Sequence, residues 1–245
     1  MSIILRKIYH TGLIALLLTL GVVAERVGLI EYLSDPYEYP YILKLLYQHL
    51  YLVGVSMALA TGLGLLIGIA LTRRRLRRFA GVVMYIVSLG QTIPSLAVLA
   101  LMMSVLGIGS RTAIFALFVY SILPIARNTL AGITSVSPAM IDAAKGMGMP
   151  DWRILLEVEL PNAMTVILTG FRVALVINIG TTALAYLIGA GGLGDLIFTG
   201  INLMQTEKLL AGAIPTTLLA LLGDFLCTIL SLLLVSRGLR LADSQ

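Results

Sequence analysis

Residues 137–161 read SPAMIDAAKGMGMPDWRILLEVELP, a charged interval set between two apolar runs, 112–132 and 163–188. Each flanking run is long enough to cross a hydrocarbon core of about 30 Å at about 1.5 Å per residue. The interval is therefore a loop joining two membrane spans. Its local grammar is helical. Ser137 is a cap residue, Pro138 suits the first helical position, and Gly148 suits a left-handed helix end. A second helix restarts at Pro150 with Asp151 in its first turn, and Leu160-Pro161 closes the loop before the next span. The expected result is a helix-turn-helix on the membrane face, with Ala143 and Ala144 presenting a surface poor in side chains. An ordinary interfacial hairpin gives the same local pattern.

Working outward from this loop, six apolar segments stand out, at roughly 9–31, 49–72, 80–106, 112–132, 163–188 and 209–236. Of the 245 residues, 59% are hydrophobic and 12% charged, against the roughly 25% charged residues of a soluble domain. Mean hydropathy is +1.01. The expected fold is an all-α integral membrane protein with about six transmembrane helices in a single domain, 1–245. The first segment is the least regular. Its apolar stretch from Gly12 stops at Glu25 and Arg26, and Val22 and Ala24 match the small-residue pattern of a signal-peptidase site, so it reads as a retained anchor or a cleaved leader. Neither His10 nor His49 has further ligands at metal spacing, and the single cysteine, Cys227, lies in an apolar run. Metal, disulfide and thiol chemistry therefore lack their parts. The net charge of +5 comes from residues beside hydrophobic segments rather than from a basic stripe with aromatics, so no nucleic-acid partner is expected.

Lysine and arginine set the orientation, because cytoplasmic flanks retain them. Twelve fall on one side: Arg6, Lys7, Arg73, Arg74, Arg75, Arg77, Arg78, Arg127, Lys145, Arg153, Arg237 and Arg240. Three fall on the other, Lys44, Arg111 and Lys208, and Arg26 and Arg172 lie within spans, which accounts for all 17. Both termini, the 73–79 turn and the 133–162 loop are thus expected in the cytoplasm. Tyr32, Tyr37, Tyr39, Tyr41, Tyr47 and Tyr51 read as an aromatic belt at the opposite interface.

The order Asp142-Ala143-Ala144, three residues, Gly148, nine residues, Val158-Glu159-Leu160-Pro161 resembles the EAA loop of ABC importer permeases. That loop runs Glu-Ala-Ala, three residues, Gly, nine residues, Ile, any residue, Leu-Pro. This chain departs by Asp at 142 and Val at 158, and its carboxylate is one methylene shorter. The resemblance implies a type I ABC importer permease (MetI-like) core, about 49–236, with a cytoplasmic coupling helix in the loop 133–162. It implies that Asp142, Ala143, Ala144, Gly148, Leu160 and Pro161 dock a cytoplasmic ABC ATPase subunit. The remaining partners it implies are a periplasmic or lipoprotein substrate-binding protein, membrane lipid, and a second permease, either another copy or a paralogue. The location is the bacterial inner (cytoplasmic) membrane. No cofactor is implied for this chain, since ATP and Mg belong to the ATPase. Gly90-Gln91-Thr92-Ile93-Pro94-Ser95-Leu96-Ala97, Lys145-Gly146-Met147-Gly148-Met149 and Ile177-Asn178-Ile179-Gly180-Thr181 resemble the osmoprotectant branch, which handles glycine betaine, carnitine, choline or related quaternary amines.

Solute passage calls for weak, dispersed polar contacts inside the membrane. Pro94 removes an amide in mid-span and is flanked by Gln91, Thr92 and Ser95. With Asn178 and Thr181, and with Tyr120 or Tyr186 as aromatic contacts for a methylated ammonium, these are the expected pathway residues. Each polar one serves equally well as a tie between helices. Arg172 and Asp224 lie at similar depth, roughly 13 and 18 Å from the cytoplasmic face at about 1.5 Å per residue, and are expected to form an ion pair. A proton relay through Asp224 lacks a second acidic residue in a facing span. The glycine-rich stretch Gly189-Ala190-Gly191-Gly192-Leu193-Gly194-Asp195 has no following Lys-Ser or Lys-Thr and so is no phosphate cradle. The resemblance implies that the loop 189–207 is a periplasmic hairpin helping to gate the pore.

No Walker lysine, catalytic triad or metal cluster is present, so the chain is expected to be a transport subunit and not an enzyme. The alternative, a secondary transporter driven by an ion gradient, calls for inverted repeats and intramembrane carboxylates, and only Asp224 qualifies. A membrane hydrolase calls for a nucleophile with a base, and the two histidines lie near span ends.

Overall fold

The structure, a computed structural model, describes residue 22 and residues 25–235. Most of the expected first span, together with Arg6, Lys7, His10, Ala24, Arg237 and Arg240, lies outside those residues. The described residues form helices and turns with no β-strand among them. A short helix α1, Leu29–Ser34, leads into α2, Glu38–Thr72. A 3-10 turn, Arg77–Phe79, precedes α3, Ala80–Thr92, and α4, Ser95–Leu106, follows at once. Next come α5, Ser110–Thr134, the short α6, Pro138–Gly146, and α7, Asp151–Ile154. A π-helical turn, Leu155–Glu159, carries α7 into α8, Leu160–Thr182, which tightens to a 3-10 helix over Ala183–Ile188. The chain closes with α9, Gly194–Leu203, and α10, Thr206–Leu234. Four stretches are long and apolar enough to cross a membrane, Glu38–Thr72, Ser110–Thr134, Asp151–Ile188 and Thr206–Leu234, and the bent pair Arg77–Thr92 and Ser95–Leu106 makes a fifth.

Three expected boundaries change. The helix α2 begins at Glu38 rather than near 49, because Lys44, Gln48 and His49 interrupt an apolar run but not a helix. Its 35 residues span about 52 Å, well beyond the hydrocarbon core. The added turns are held by Ile42 and Leu45, which pack with Leu29, Leu193, Leu196 and Ala211. The expected span 80–106 is two helices meeting at 95°. The expected loop 189–207 is largely helix, since Gly194–Leu203 winds and packs against α10.

Small residues let the central helices approach. A Cβ on Gly68 of α2 would sit 2.4 Å from the Cβ of Thr129 on α5. A Cβ on Gly170 of α8 would sit 2.6 Å from the Pro124 carbonyl oxygen on α5. Around these contacts Val53, Met57, Ala60, Ile122, Ile125, Ala126, Ala174 and Ile179 form one buried cluster. The bundle α2–α5–α8 thereby fixes two ends. At one, Arg73 reaches Glu159, so the 73–79 turn and the loop carrying α6 and α7 lie together. At the other, the Gly109 amide donates to the Ile188 carbonyl at 2.9 Å and the Gly192 amide to Gln48 Oε1 at 3.2 Å.

Candidate functional site: a docking loop and a broken span

Helix α6 starts on proline geometry alone. Pro138 occupies the first turn, and the Ser137 side chain makes no capping bond. Instead the Ser137 carbonyl accepts from the amides of Met140 at 3.0 Å and Ile141 at 3.4 Å. The helix ends as its glycine requires: Gly148 has φ +76°, and the Met149 amide returns to the Ala144 carbonyl at 3.2 Å. That long return bond around a left-handed residue is a Schellman-type stop. Space around Gly148 is open, with nothing within 4 Å of an added Cβ, so backbone conformation rather than crowding selects glycine there.

The two alanines part company. Ala144 is 1% exposed and faces inward, so only Ala143 lies on the outer surface. Asp142 is exposed in the second turn of α6 and is not a helix-start residue. It faces a cleft of about 320 Å³ shared with Arg77, Lys145 and Glu159. The outer face carries more apolar surface than the alanine pattern predicts: Met147 is 74% and Trp152 64% exposed, with Met140 beside them. The missed signal was three bulky apolar side chains in a stretch already assigned to water. Leu160 packs against the cluster of Ile133, Ala163 and Ile167, and Pro161 is exposed in the first turn of α8.

Leu160-Pro161 does not close the loop. The helix runs continuously from Asp151 to Ile188, because the π turn at 155–159 absorbs the proline. Proline removes one amide and pushes on the carbonyl four residues back, and a widened turn takes up both defects. The same turn presents Glu159, which pairs with Arg73, while Arg73 Nη2 also donates to Thr72 Oγ1 at 2.7 Å. Next to this bridge is an open cleft of about 930 Å³ lined by Arg73, Arg74, Arg75, Lys145 and Asp151.

The expected pathway residues fall into three places. Gln91, Pro94, Ser95, Tyr120 and Thr181 gather at the α3–α4 break. There Gln91 Nε2 donates to the Tyr120 carbonyl at 2.9 Å and the Tyr120 hydroxyl donates to the Ile93 carbonyl. The Ile93 carbonyl at the break is thus occupied. Ser95, Tyr120 and Thr181 border a crevice of about 10 Å³, the scale of a single water. Thr92 points outward, its hydroxyl returned to the Leu89 carbonyl at 2.8 Å.

Asn178 lines no passage in this structure. It is 1% exposed, and its amide donates to Ser56 Oγ at 3.0 Å and Ser121 Oγ at 2.8 Å. It ties α2, α5 and α8 together, the helix-tie alternative for a polar residue inside a bundle. Tyr186 lies at the opposite end, its ring parallel to Phe198 at 6.0 Å. Arg172 and Asp224 join α8 to α10 by a two-pronged pair in which Arg172 Nη2 meets Asp224 Oδ2 at 2.6 Å. Outside the spans, burial and the hydrogen bond to Glu38 at 2.8 Å hold the Tyr32 hydroxyl in its protonated form well above the ordinary range.

The described residues thus form a membrane-spanning helix bundle with a broken span and an exposed helix-turn-helix. The chain belongs to the family of binding-protein-dependent transport system inner membrane components, whose model matches residues 61–236. It is 51% identical over 179 residues to the osmoprotectant import permease protein OsmY of Salmonella typhimurium, covering 73% of this chain and 76% of that one. It is 41% identical over 193 residues to the glycine betaine/carnitine/choline transport system permease protein OpuCB of Bacillus subtilis, covering 79% and 88%. The fold matches a chain of the inward-facing MetNI methionine ABC transporter with a TM-score of 0.73 at 21% identity, covering 83% of this chain and all of that one. The protein is therefore a multi-pass membrane permease subunit with a MetI-like fold, and the ion-gradient alternative gives way to the importer class.

Proposed function

We propose that this chain is the permease of an ATP-driven, binding-protein-dependent importer for small quaternary-ammonium osmoprotectants such as glycine betaine, carnitine or choline. The 51% identity to an osmoprotectant import permease carries the substrate class. The whole chain acts as one transmembrane domain with both termini in the cytoplasm. ATP and Mg are handled by a separate ATPase subunit, against which α6 and its Gly148 stop dock with Asp142, Ala143, Met147 and Trp152 on the contact face. Leu160 and Pro161 support that face through α8. A second permease, identical or paralogous, completes the pathway, and an external binding protein delivers the solute.

The coupling geometry supports this reading. Closure of the ATPase displaces α6, and the continuous helix from Asp151 to Ile188 carries that displacement into the bundle. Gln91, Ser95, Tyr120 and Thr181 stand at the break that such a shift opens. Arg172 and Asp224 hold α8 and α10 together during the movement.

The test is uptake of glycine betaine by vesicles holding the complete importer, with the proton gradient clamped. Uptake is expected to collapse on ATP depletion, and persistence would sink the proposal. Gly148→Val is expected to reduce co-purified ATPase about tenfold, because a β-branched residue at positive φ costs roughly 1–2 kcal/mol. Normal co-purification and uptake in that variant would contradict the docking assignment.

A further inference from the structure

At the end of the bundle away from α6, Tyr41, Lys44 and Gln48 of α2 face Tyr186, Asp195 and the Gly189–Gly191 turn across a concavity of about 240 Å³. That is well above the roughly 10–15 Å³ that a single water needs. It adjoins a second space of about 290 Å³ that shares Gln48, Gly189 and Ala190. The crevice at the span break, at about 10 Å³, offers no comparable room.

The walls are fixed in place. Asp195, Phe198 and Thr199 share one face of α9. Phe198 stacks on Tyr186 at 6.0 Å with rings 10° apart. The Tyr186 hydroxyl lies 3.4 Å from Thr199 Oγ1, which donates to Asp195 Oδ1 at 3.3 Å. Tyr41 is half-buried on this wall, whereas Tyr37 is 91% and Tyr47 72% exposed. The aromatic belt thus turns one of its members inward here. Lys44 and Asp195 line the same space without pairing: the ion pairs among the described residues are Arg73 with Glu159, Arg153 with Glu157, and Arg172 with Asp224. Two opposite charges held apart across a small aromatic-walled space bracket a ligand that carries both signs.

We propose that this concavity is a transit site for the solute, in which a methylated ammonium rests against Tyr41, Tyr186 and the Asp195 carboxylate while the carboxylate of a zwitterion reaches Lys44. The site rests on the quaternary-ammonium reading above. Aromatic faces attract such cations weakly enough to release a passing solute. Gln48 is committed to the Gly192 amide at 3.2 Å and so positions the glycine turn.

The experiment uses the assembled permease and ATPase in nanodiscs, without binding protein, carrying Ala190→Cys on the rim. Modification of that cysteine by a charged thiol reagent is timed in the presence of glycine betaine, of choline, or of 3,3-dimethylbutanol, which has choline's shape without its charge. Glycine betaine and choline are each expected to slow modification at least threefold, and dimethylbutanol less than 1.5-fold. Asp195→Asn is expected to remove protection by both quaternary amines. The exposed Lys44→Gln is expected to remove protection by glycine betaine and spare choline. Absence of protection by either quaternary amine, or equal protection by dimethylbutanol, overturns the site, and equal loss of both protections in Lys44→Gln overturns the assigned orientation. Vesicle uptake separates the two levels. Uptake by the parent importer without protection discards the site alone, whereas uptake of no quaternary amine discards the substrate class and the site with it.

Discussion

Pro94 and Pro161 carry the same chemical defect and the structure resolves it in opposite ways. At Pro94 the helix stops, turns by 95° and starts again as α4. At Pro161 it widens through a π turn and continues without interruption to Ile188. The difference lies in the neighbours. Before Pro161 the chain has Leu155 and Leu160, which keep the helix seated on α2 and α5, and Glu159, which Arg73 holds from α2. Before Pro94 there are Thr92 and Ile93, both exposed, and the partner that matters is the Tyr120 hydroxyl on the Ile93 carbonyl. Packing on both sides of a proline preserves a rod, and a polar latch on one side preserves a bend. Under the proposed function, a rod suits transmission of a push from the loop that carries α6, and a bend suits a place where the wall of a pathway yields.

Substitutions at the two sites test this contrast. Pro94→Ala restores the missing amide and lets α3 and α4 straighten. Vesicle uptake is expected to fall at least tenfold while the protein remains in the membrane fraction, and uptake above half of normal would remove the bend from the mechanism. Pro161→Ala lets the π turn close to an α turn, which rotates α7 relative to α8 by about 100° and draws Glu159 away from Arg73. The expected effect is about a fivefold loss of uptake with ATP hydrolysis retained, measured as solute moved per ATP consumed. An unchanged ratio would mean that the π turn is only an accommodation of proline. Tyr120→Phe removes the latch and keeps the ring. One lost hydrogen bond of about 1 kcal/mol is expected to lower the unfolding temperature by about 2–4 °C and uptake by less than threefold. A tenfold loss would promote the Tyr120 hydroxyl from latch to solute contact.

These contrasts mark where sequence reading works and where it stops. The apolar cores of five spans and the shared end of the 73–79 turn and the 133–162 loop were legible, because hydropathy and arginine placement report directly on transfer into lipid. The glycine stop at 148 was legible because few residues tolerate its backbone angles. The two prolines were not separable, since the deciding groups, Glu159 with Arg73 and Tyr120 with Ile93, are joined 86 and 27 residues apart. Asn178 was ambiguous for a related reason. An amide inside a membrane reads the same whether it meets solute or, as here, Ser56 and Ser121. The helix Gly194–Leu203 hid behind its glycines, which serve close contact: a Cβ on Gly194 would meet the Ala183 carbonyl oxygen at 1.8 Å.

The bridge between Arg73 and Glu159 also bears on how the protein is made. The two residues are 86 positions apart, so during synthesis the arginines at 73–78 leave the ribosome long before their acidic partner exists. The charge that holds this turn on one side of the membrane therefore acts at full strength while the early helices are being oriented. It is partly neutralised only when α8 arrives. A signal for topology is in this way converted into a joint of the finished machine.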